Sequence, residues 1–288
     1  SVLKDAASAA IYGARGSFGV ILVTTKKAKR GKISVNYSNN YGWAGLTTNT
    51  DFITDGYTSA MLNDEAFLRA TGNTYTRYTE EDYEELKKRQ TDKSLPDVVI
   101  SNRNGKDQYV YYGSTDWWDV MFRDWQPSRE HSISINGGSE KMDFLISGRM
   151  YSKDGVMQVN QDRFDSYNFR AKLIARITDN LEVFTNTYFN TNKYTYPGWG
   201  YNSNFVSITV HALPSYVPVN PDGTATYRTE LNNYTIGDGI YADLLYGKSK
   251  GEEKEFELIN MVGATYKPFK GMEINANYSY TINPTTTM

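Results

Sequence analysis

The sequence predicts an all-β protein, an antiparallel β-barrel that crosses a membrane with its strands. Three observations predict it: long runs in which apolar and polar residues alternate, connections that alternate between short and long, and the lack of any apolar run that would make a transmembrane helix. About nine to eleven tilted residues carry a β-strand across a bilayer, whereas strands in soluble proteins average five or six. A soluble antiparallel meander with a few enlarged loops is the competing reading, and strand length weighs against it.

The first element is the stretch DAASAAIYGARGSFGVILVTTKK, Asp5–Lys27. Asp5 and Ser8 stand where a short alanine-rich helix begins, Gly13, Gly16 and Gly19 permit positive φ and close backbone approach, and Val20–Thr25 is a β-branched strand. Helix, glycines, strand is the reverse of a phosphate-binding loop, so the glycines are read as turn and packing residues without a ligand. Arg15 is a candidate latch to a carboxylate of the wall that follows.

From Gly31 to Trp43 the chain reads GKISVNYSNNYGW, with Ile33, Val35, Tyr37, Tyr41 and Trp43 on one face and Lys32, Ser34, Asn36, Ser38 and Asn40 on the other. The period of two returns more weakly over 130–136 and 141–151. It is clear in Asp165–Ile177, where Tyr167, Phe169, Ala171, Leu173, Ala175 and Ile177 oppose Ser166, Asn168, Arg170, Lys172 and Arg176. Weaker matches at 181–190 and 253–266 and a strong one at 272–282 bring the expected total to about seven strands. Tyr and Trp near the strand ends fit an interfacial girdle, and fit sandwich edges almost as well. A mean hydropathy of −0.59 agrees, because alternating strands average out as hydrophilic.

Gly137-Gly138-Ser139-Glu140, Thr178-Asp179-Asn180 and Lys267–Gly271 are short turns, while 44–129 and 191–252 are very long and 152–164 is moderate. All the short connections fall on one side, as in outer-membrane barrels with tight periplasmic turns and long extracellular loops. The first long loop carries helical patterns at Thr58–Ala70 and Thr79–Arg89, the second with Thr79 as N-cap, and a short one at Asp116–Phe122.

Charge and composition exclude several functions. With 31 Lys+Arg against 33 Asp+Glu there is no basic excess for nucleic acid, and without cysteine there is neither a disulfide nor a thiolate site. His131 and His211 stand far apart without metal-ligand spacing. Asp116, Asp119 and Asp124 cluster beside tryptophans, but helix capping accounts for Asp116 and solvation for the others, so no carboxylate pair of a glycoside hydrolase is read here. The chain is not expected to be an enzyme, and no catalytic residue, metal or cofactor is assigned.

Two segments carry a resemblance. VLKDAASAAIYGARGSFGVILVTTKK resembles the end of the plug domain of SusC/RagA-type TonB-linked outer-membrane transporters, and TDWWDVMFRDWQPSREHSISINGGSEKMDFLISGRMYSKDGVM resembles a loop exit, strand, turn and strand of the same family. Beyond about Thr191 no motif supports it, only the strand pattern. The resemblance implies a barrel of roughly twenty-two strands filled by a plug. Residues 1–30 would then end the plug and 31–288 form the first part of the barrel, a fragment lacking the upstream plug and the downstream strands that close it. It also implies active import of oligosaccharides or peptides, a TonB complex acting through an upstream segment absent here, a SusD-like lipoprotein as lid, and contact with outer-membrane lipid. The alternative is a surface glycan-binding module without transport activity.

Candidate substrate-binding residues are two aromatic groups: Trp117, Trp118 and Trp125, and Tyr194, Tyr196, Trp199 and Tyr201. Either could stack on sugar rings; for the first, anchoring of its loop or a place in the girdle is the favoured reading, and the second could be merely a mobile loop tip. Arg170, Lys172 and Arg176, facing the lumen, are expected to meet plug carboxylates rather than substrate.

Overall fold

The computed structural model describes residues 2–3, 12–13, 16, 19–21, 31–47, 50–198, 207–208, 210–248 and 250–287. In chain order its elements begin with β1 (Val2–Leu3) and β2 (Val20–Ile21), a separate antiparallel pair. The long strand β3 (Gly31–Gly45) follows, then α1 (Gly56–Thr71), α2 (Glu80–Thr91), the hairpin β4 (Val98–Arg103) and β5 (Lys106–Tyr111), and α3 (Trp117–Met121). Next come β6 (Trp125–Gly138), β7 (Met142–Asp154), β8 (Arg163–Thr178), β9 (Leu181–Pro197), α4 (Ile240–Tyr246), β10 (Lys250–Tyr266), β11 (Ile274–Ile282) and β12 (Thr285–Thr287).

Seven long strands form one antiparallel sheet in the order β3-β6-β7-β8-β9-β10-β11. The short β12 continues the register of β11 along β10, with Phe256 N donating to Pro284 O at 3.2 Å between them. Among the described residues the sheet stays open, with β3 at one edge and β11 and β12 at the other. All seven expected strands are present, and several run further than the alternation suggested. β6 begins at Trp125 because Trp125–Arg129 pair with Tyr41–Gly45, and β9 extends to Pro197, opposite Lys250. The long connections are accordingly shorter than expected, at 46–124 and 198–249.

The register sorts side chains by face. Tyr37, Ile133, Gly148, Phe169, Phe189, Leu258 and Ile282 form one continuous row across the seven strands. That face is uncovered, with Tyr37 61 % and Tyr278 67 % exposed, and an apolar patch of this extent marks a surface that meets lipid or another protein. Its apolar run lasts about ten residues on β8, from Tyr167 to Ile177, and on β10, from Phe256 to Tyr266, which is bilayer-crossing length. Beyond it the same face turns charged at Arg129, Asp165, Lys193 and Lys254. On β10 Asn260 is the polar exception inside the band; its amide oxygen accepts from Thr187 Oγ1 at 3.1 Å and Thr185 Oγ1 at 3.3 Å on the same face of β9, as hydrocarbon surroundings require.

The long connections are not loops in the usual sense, because they pool their apolar residues into shared cores. Trp117, Trp118, Met121 and Phe122 from the first, Val156 and Met157 from the second, and Ile208, Leu213, Tyr216, Ile236, Ile240 and Leu244 from the third are packed together. A smaller cluster joins Ala60, Tyr78, Leu86, Val110 and Tyr112. The three expected helices form as α1, α2 and α3. Asp55 caps α1 by accepting from Thr58 N at 2.7 Å, Thr79 and Asp82 form a capping box on α2, and Asp116 accepts from Trp118 N and Asp119 N on α3. The hairpin turns on Asn104 and Gly105, both at positive φ, a two-residue turn whose twist suits the strands.

In the opening segment Gly13 (φ +62) and Gly19 (φ +94) adopt the left-handed conformations expected of them, and Val20–Ile21 is extended. The helix expected near Asp5 and Ser8, residues 22–25 of the strand, and Arg15 lie outside the described residues.

Candidate functional site: the inner face of the wall

If the apolar face meets lipid, the opposite face must line a lumen, and its side chains are the even-numbered residues of β6 and β8 with their cross-strand partners. Glu130, Ser132 and Ser134 of β6 face Arg149 and Ser147 of β7; Ser166, Asn168, Arg170 and Lys172 follow on β8. Tyr188, Asn190, Asn192, Tyr194 and Tyr196 continue the face on β9, and Glu253, Glu255 and Glu257 form an acidic stripe on β10.

Most of these charges are engaged. Arg149 donates to Glu130 Oε2 at 2.7 Å and to Asn168 Oδ1 at 3.3 Å, and its guanidinium lies 5.1 Å from the centre of the Tyr151 ring. Arg170 lies 5.2 Å over the Tyr188 ring. Arg176, expected to reach a plug carboxylate, is instead held near the short turns by Asp143, with Glu182 at 3.8 Å, because register brings both acids beside it. Asn192 donates to Glu255 Oε2 at 3.1 Å.

A hollow of about 520 Å³ opens among Asn36, Ser132, Ser134, Ser147, Arg149 and Arg170, with Tyr188 at its border. Small hydroxyl side chains keep its floor low while two guanidinium groups stand at its side. Toward the end that bears the long connections the same face becomes aromatic. Tyr151 and Phe164 have ring centres 6.2 Å apart, and Tyr194 and Tyr196 stack at 5.3 Å and 26°. Gly251 gives the Tyr196 ring its place, since a Cβ there would collide with it.

The aromatic residues singled out from sequence therefore separate. Trp117 and Trp118 are 5 % and 4 % exposed in the core of the pooled connections, with Trp117 Nε1 donating to Leu213 O at 3.0 Å. Apolar neighbours from three connections cover both rings, which removes them from any ring-stacking surface. Trp125 is 60 % exposed, but its pairing with Gly45 puts it on the outward face beside Trp43, where it fits the interfacial girdle. Tyr194 and Tyr196 line the inner face; Trp199 and Tyr201 lie outside the described residues. Tyr151, Phe164 and Tyr188 were missed as partners, although the alternation that places Arg149, Ser166 and Asn190 inside places them there as well.

The remaining chemistry-bearing groups have structural roles. His131 Nδ1 bonds to Tyr37 OH at 2.8 Å on the outward face, and His211 Nδ1 to Asp238 Oδ2 at 2.8 Å among the connections. Burial, then the charges of Asp116 and Asp124, push the Asp119 carboxyl up, but Asp116 is committed to capping α3.

Fold and face together define a class, a mostly antiparallel sheet of long strands with one apolar and one polar face, as in outer-membrane β-barrel proteins. The backbone superposes on the RagAB peptide importer in its "open-open" state with a TM-score of 0.70, covering 99 % of this chain and 32 % of that one at 21 % identity. For the "closed-closed" state the TM-score is 0.65 at 20 % identity. In sequence the chain is 26 % identical to TonB-dependent receptor P3 of Formosa agariphila over 286 residues, 97 % of this chain and 24 % of that protein. It is 29 % identical to TonB-dependent receptor SusC of Bacteroides thetaiotaomicron over 164 residues, 57 % of this chain and 13 % of that protein. No protein-family model matches. The chain is homologous to the TonB-dependent receptors of SusC/RagA type, an outer-membrane family of transporters and not of enzymes, and it spans about a quarter of the length of the first of these relatives.

Proposed function

We propose that the chain contributes wall strands and outer cap to an importer that carries oligosaccharides or peptides across the outer membrane, driven through TonB and closed by a SusD-like lipoprotein. Residues 1–30 end its plug and 31–288 begin its barrel. The observation that carries this reading is a single sheet, apolar and uncovered on one face and polar and charged on the other, in a chain that aligns with one TonB-dependent receptor over 97 % of its length. The stacked Tyr194 and Tyr196 are the wall's candidate contacts for a sugar ring or a peptide side chain. The cap, built from connections at the outer end, is the surface offered to the lid and to incoming substrate.

The test is growth on single glycans and on defined peptides after deletion of the complete gene. Loss of growth on one class supports import and names the substrate, while unchanged growth on every candidate overturns it. Extraction separates this reading from a surface glycan-binding module: a barrel wall leaves the membrane only in detergent, and release by carbonate would favour the module.

A further inference from the structure

Arg170 differs from the other inner-face arginines. Arg149 has Glu130 and Arg176 has Asp143, but Arg170 has no carboxylate among the described residues. Its Nε is closed off from solvent and lacks a hydrogen-bond partner there, and its guanidinium is fixed in position by the Tyr188 ring at 5.2 Å. Lys172, two residues on and roughly 7 Å along the strand, also has no ion pair among the described residues. The acidic stripe of β10 lies two strands away, beyond Tyr188 and Asn190, and does not neutralise them. An enclosed guanidinium N–H without an acceptor is costly, and a planar fork held over an aromatic ring is preorganised for a two-oxygen anion.

The hollow beside it supplies the remaining parts of such a site. Its volume of about 520 Å³ is in the range of small-ligand pockets, and Ser132, Ser134 and Ser147 bring hydroxyl donors to its floor. Arg149, already charge-balanced by Glu130, borders the hollow as a committed ion pair and leaves Arg170 as its uncompensated guanidinium among the described residues. We infer that this hollow is a carboxylate-binding subsite of the lumen, with Arg170 as its principal ligand, Tyr188 as the residue that positions it, and Lys172 as a flanking cation. The inference rests on the transport reading. The carboxylate arrives either on the plug, sealing the lumen at rest, or on a substrate in passage; the chemistry is the same and the experiment separates the sources.

Arg170→Gln and Arg170→Lys are introduced into the full-length transporter in cells, and heat-modifiable migration on gels verifies a folded barrel. Two readouts are taken: entry of a large hydrophilic antibiotic, and uptake of paired probes differing by one carboxylate, a free-acid peptide against its C-terminal amide and a glucuronate-bearing oligosaccharide against its neutral counterpart. Increased antibiotic entry with Arg170→Gln, reduced in Arg170→Lys, assigns the carboxylate to the plug. Unchanged entry with a loss of about tenfold in preference for the acidic probe assigns it to substrate. If a folded Arg170→Gln protein seals and discriminates like the parent, the subsite does not exist. A parent that imports none of the probes counts against the transport reading instead, and the antibiotic readout still decides whether the hollow holds a plug carboxylate.

Discussion

Trp117 carries its indole N–H to the Leu213 carbonyl at 3.0 Å and meets Tyr241 edge-on at 5.8 Å, so its contribution is to packing. Truncating a buried tryptophan removes transfer energy and leaves a cavity, at a cost of about 3–5 kcal/mol. Trp117→Ala is therefore expected to unfold the cap at lower temperature and open it to protease while the wall keeps its heat-modifiable migration. Trp125→Ala, on an exposed ring, should leave cap stability nearly unchanged. Tyr111 makes a pH prediction. Burial, reinforced by the nearby Tyr109 and Asp222, pushes its phenol up to about 12, while its hydroxyl donates to Asn220 Oδ1 at 3.0 Å. Because the folded value lies above the ordinary 10.0, stability is full below pH 10 and is lost as pH rises toward 12, where the unfolded chain holds fewer protons. Alkaline titration followed by tyrosinate absorbance should show a late phase that coincides with loss of near-ultraviolet dichroism; ionisation near pH 10 in the intact cap would count against it.

Among the elements, α2 is the one whose ends are written most plainly. Thr79 accepts from Asp82 N at 3.3 Å, Asp82 Oδ2 accepts from Thr79 N at 2.8 Å, and Lys88 and Arg89 close the last turn. Thr79→Ala should cost about 1 kcal/mol, seen as faster amide exchange in the first turn of α2. Asp82 also binds Arg103 and the Tyr112 hydroxyl, both at 2.5 Å, so the cap of a helix is at the same time its tie to the hairpin. The helices were legible because caps and carboxylate-first charge order are local. The β4–β5 hairpin is harder to see in the sequence, although Asn104-Gly105 is its signal, because 98–111 lies inside a long connection between two strands of the sheet. Gly56 belongs to the same lesson: a Cβ there would collide with the Gly113 carbonyl, a contact made across dozens of residues of sequence.

At the scale of the whole molecule, the two faces of the sheet make opposite demands on substitution. Arginine on the lipid side of a barrel costs about 2–4 kcal/mol near the bilayer midplane and little in the lumen. Val262→Arg, on the outward face of β10, should lower the yield of assembled barrel, whereas Ser147→Arg on the inner face should assemble normally; equal yields would mean that the faces are assigned the wrong way round. The sequence by itself determined the seven long strands, which of their faces is apolar, the side on which the short turns lie, the presence of the three helices, and the N-caps of α2 and α3. Each is set by residues within a few positions of one another, through side-chain alternation and capping. Only the tertiary structure decided that three distant connections share a core, that Trp117 and Trp118 lie inside it, and that Arg176 is spoken for by Asp143 while Arg170 is not. Those outcomes depend on which strands lie side by side and in what register, and a pattern with a period of two fixes a residue's face without naming its neighbour.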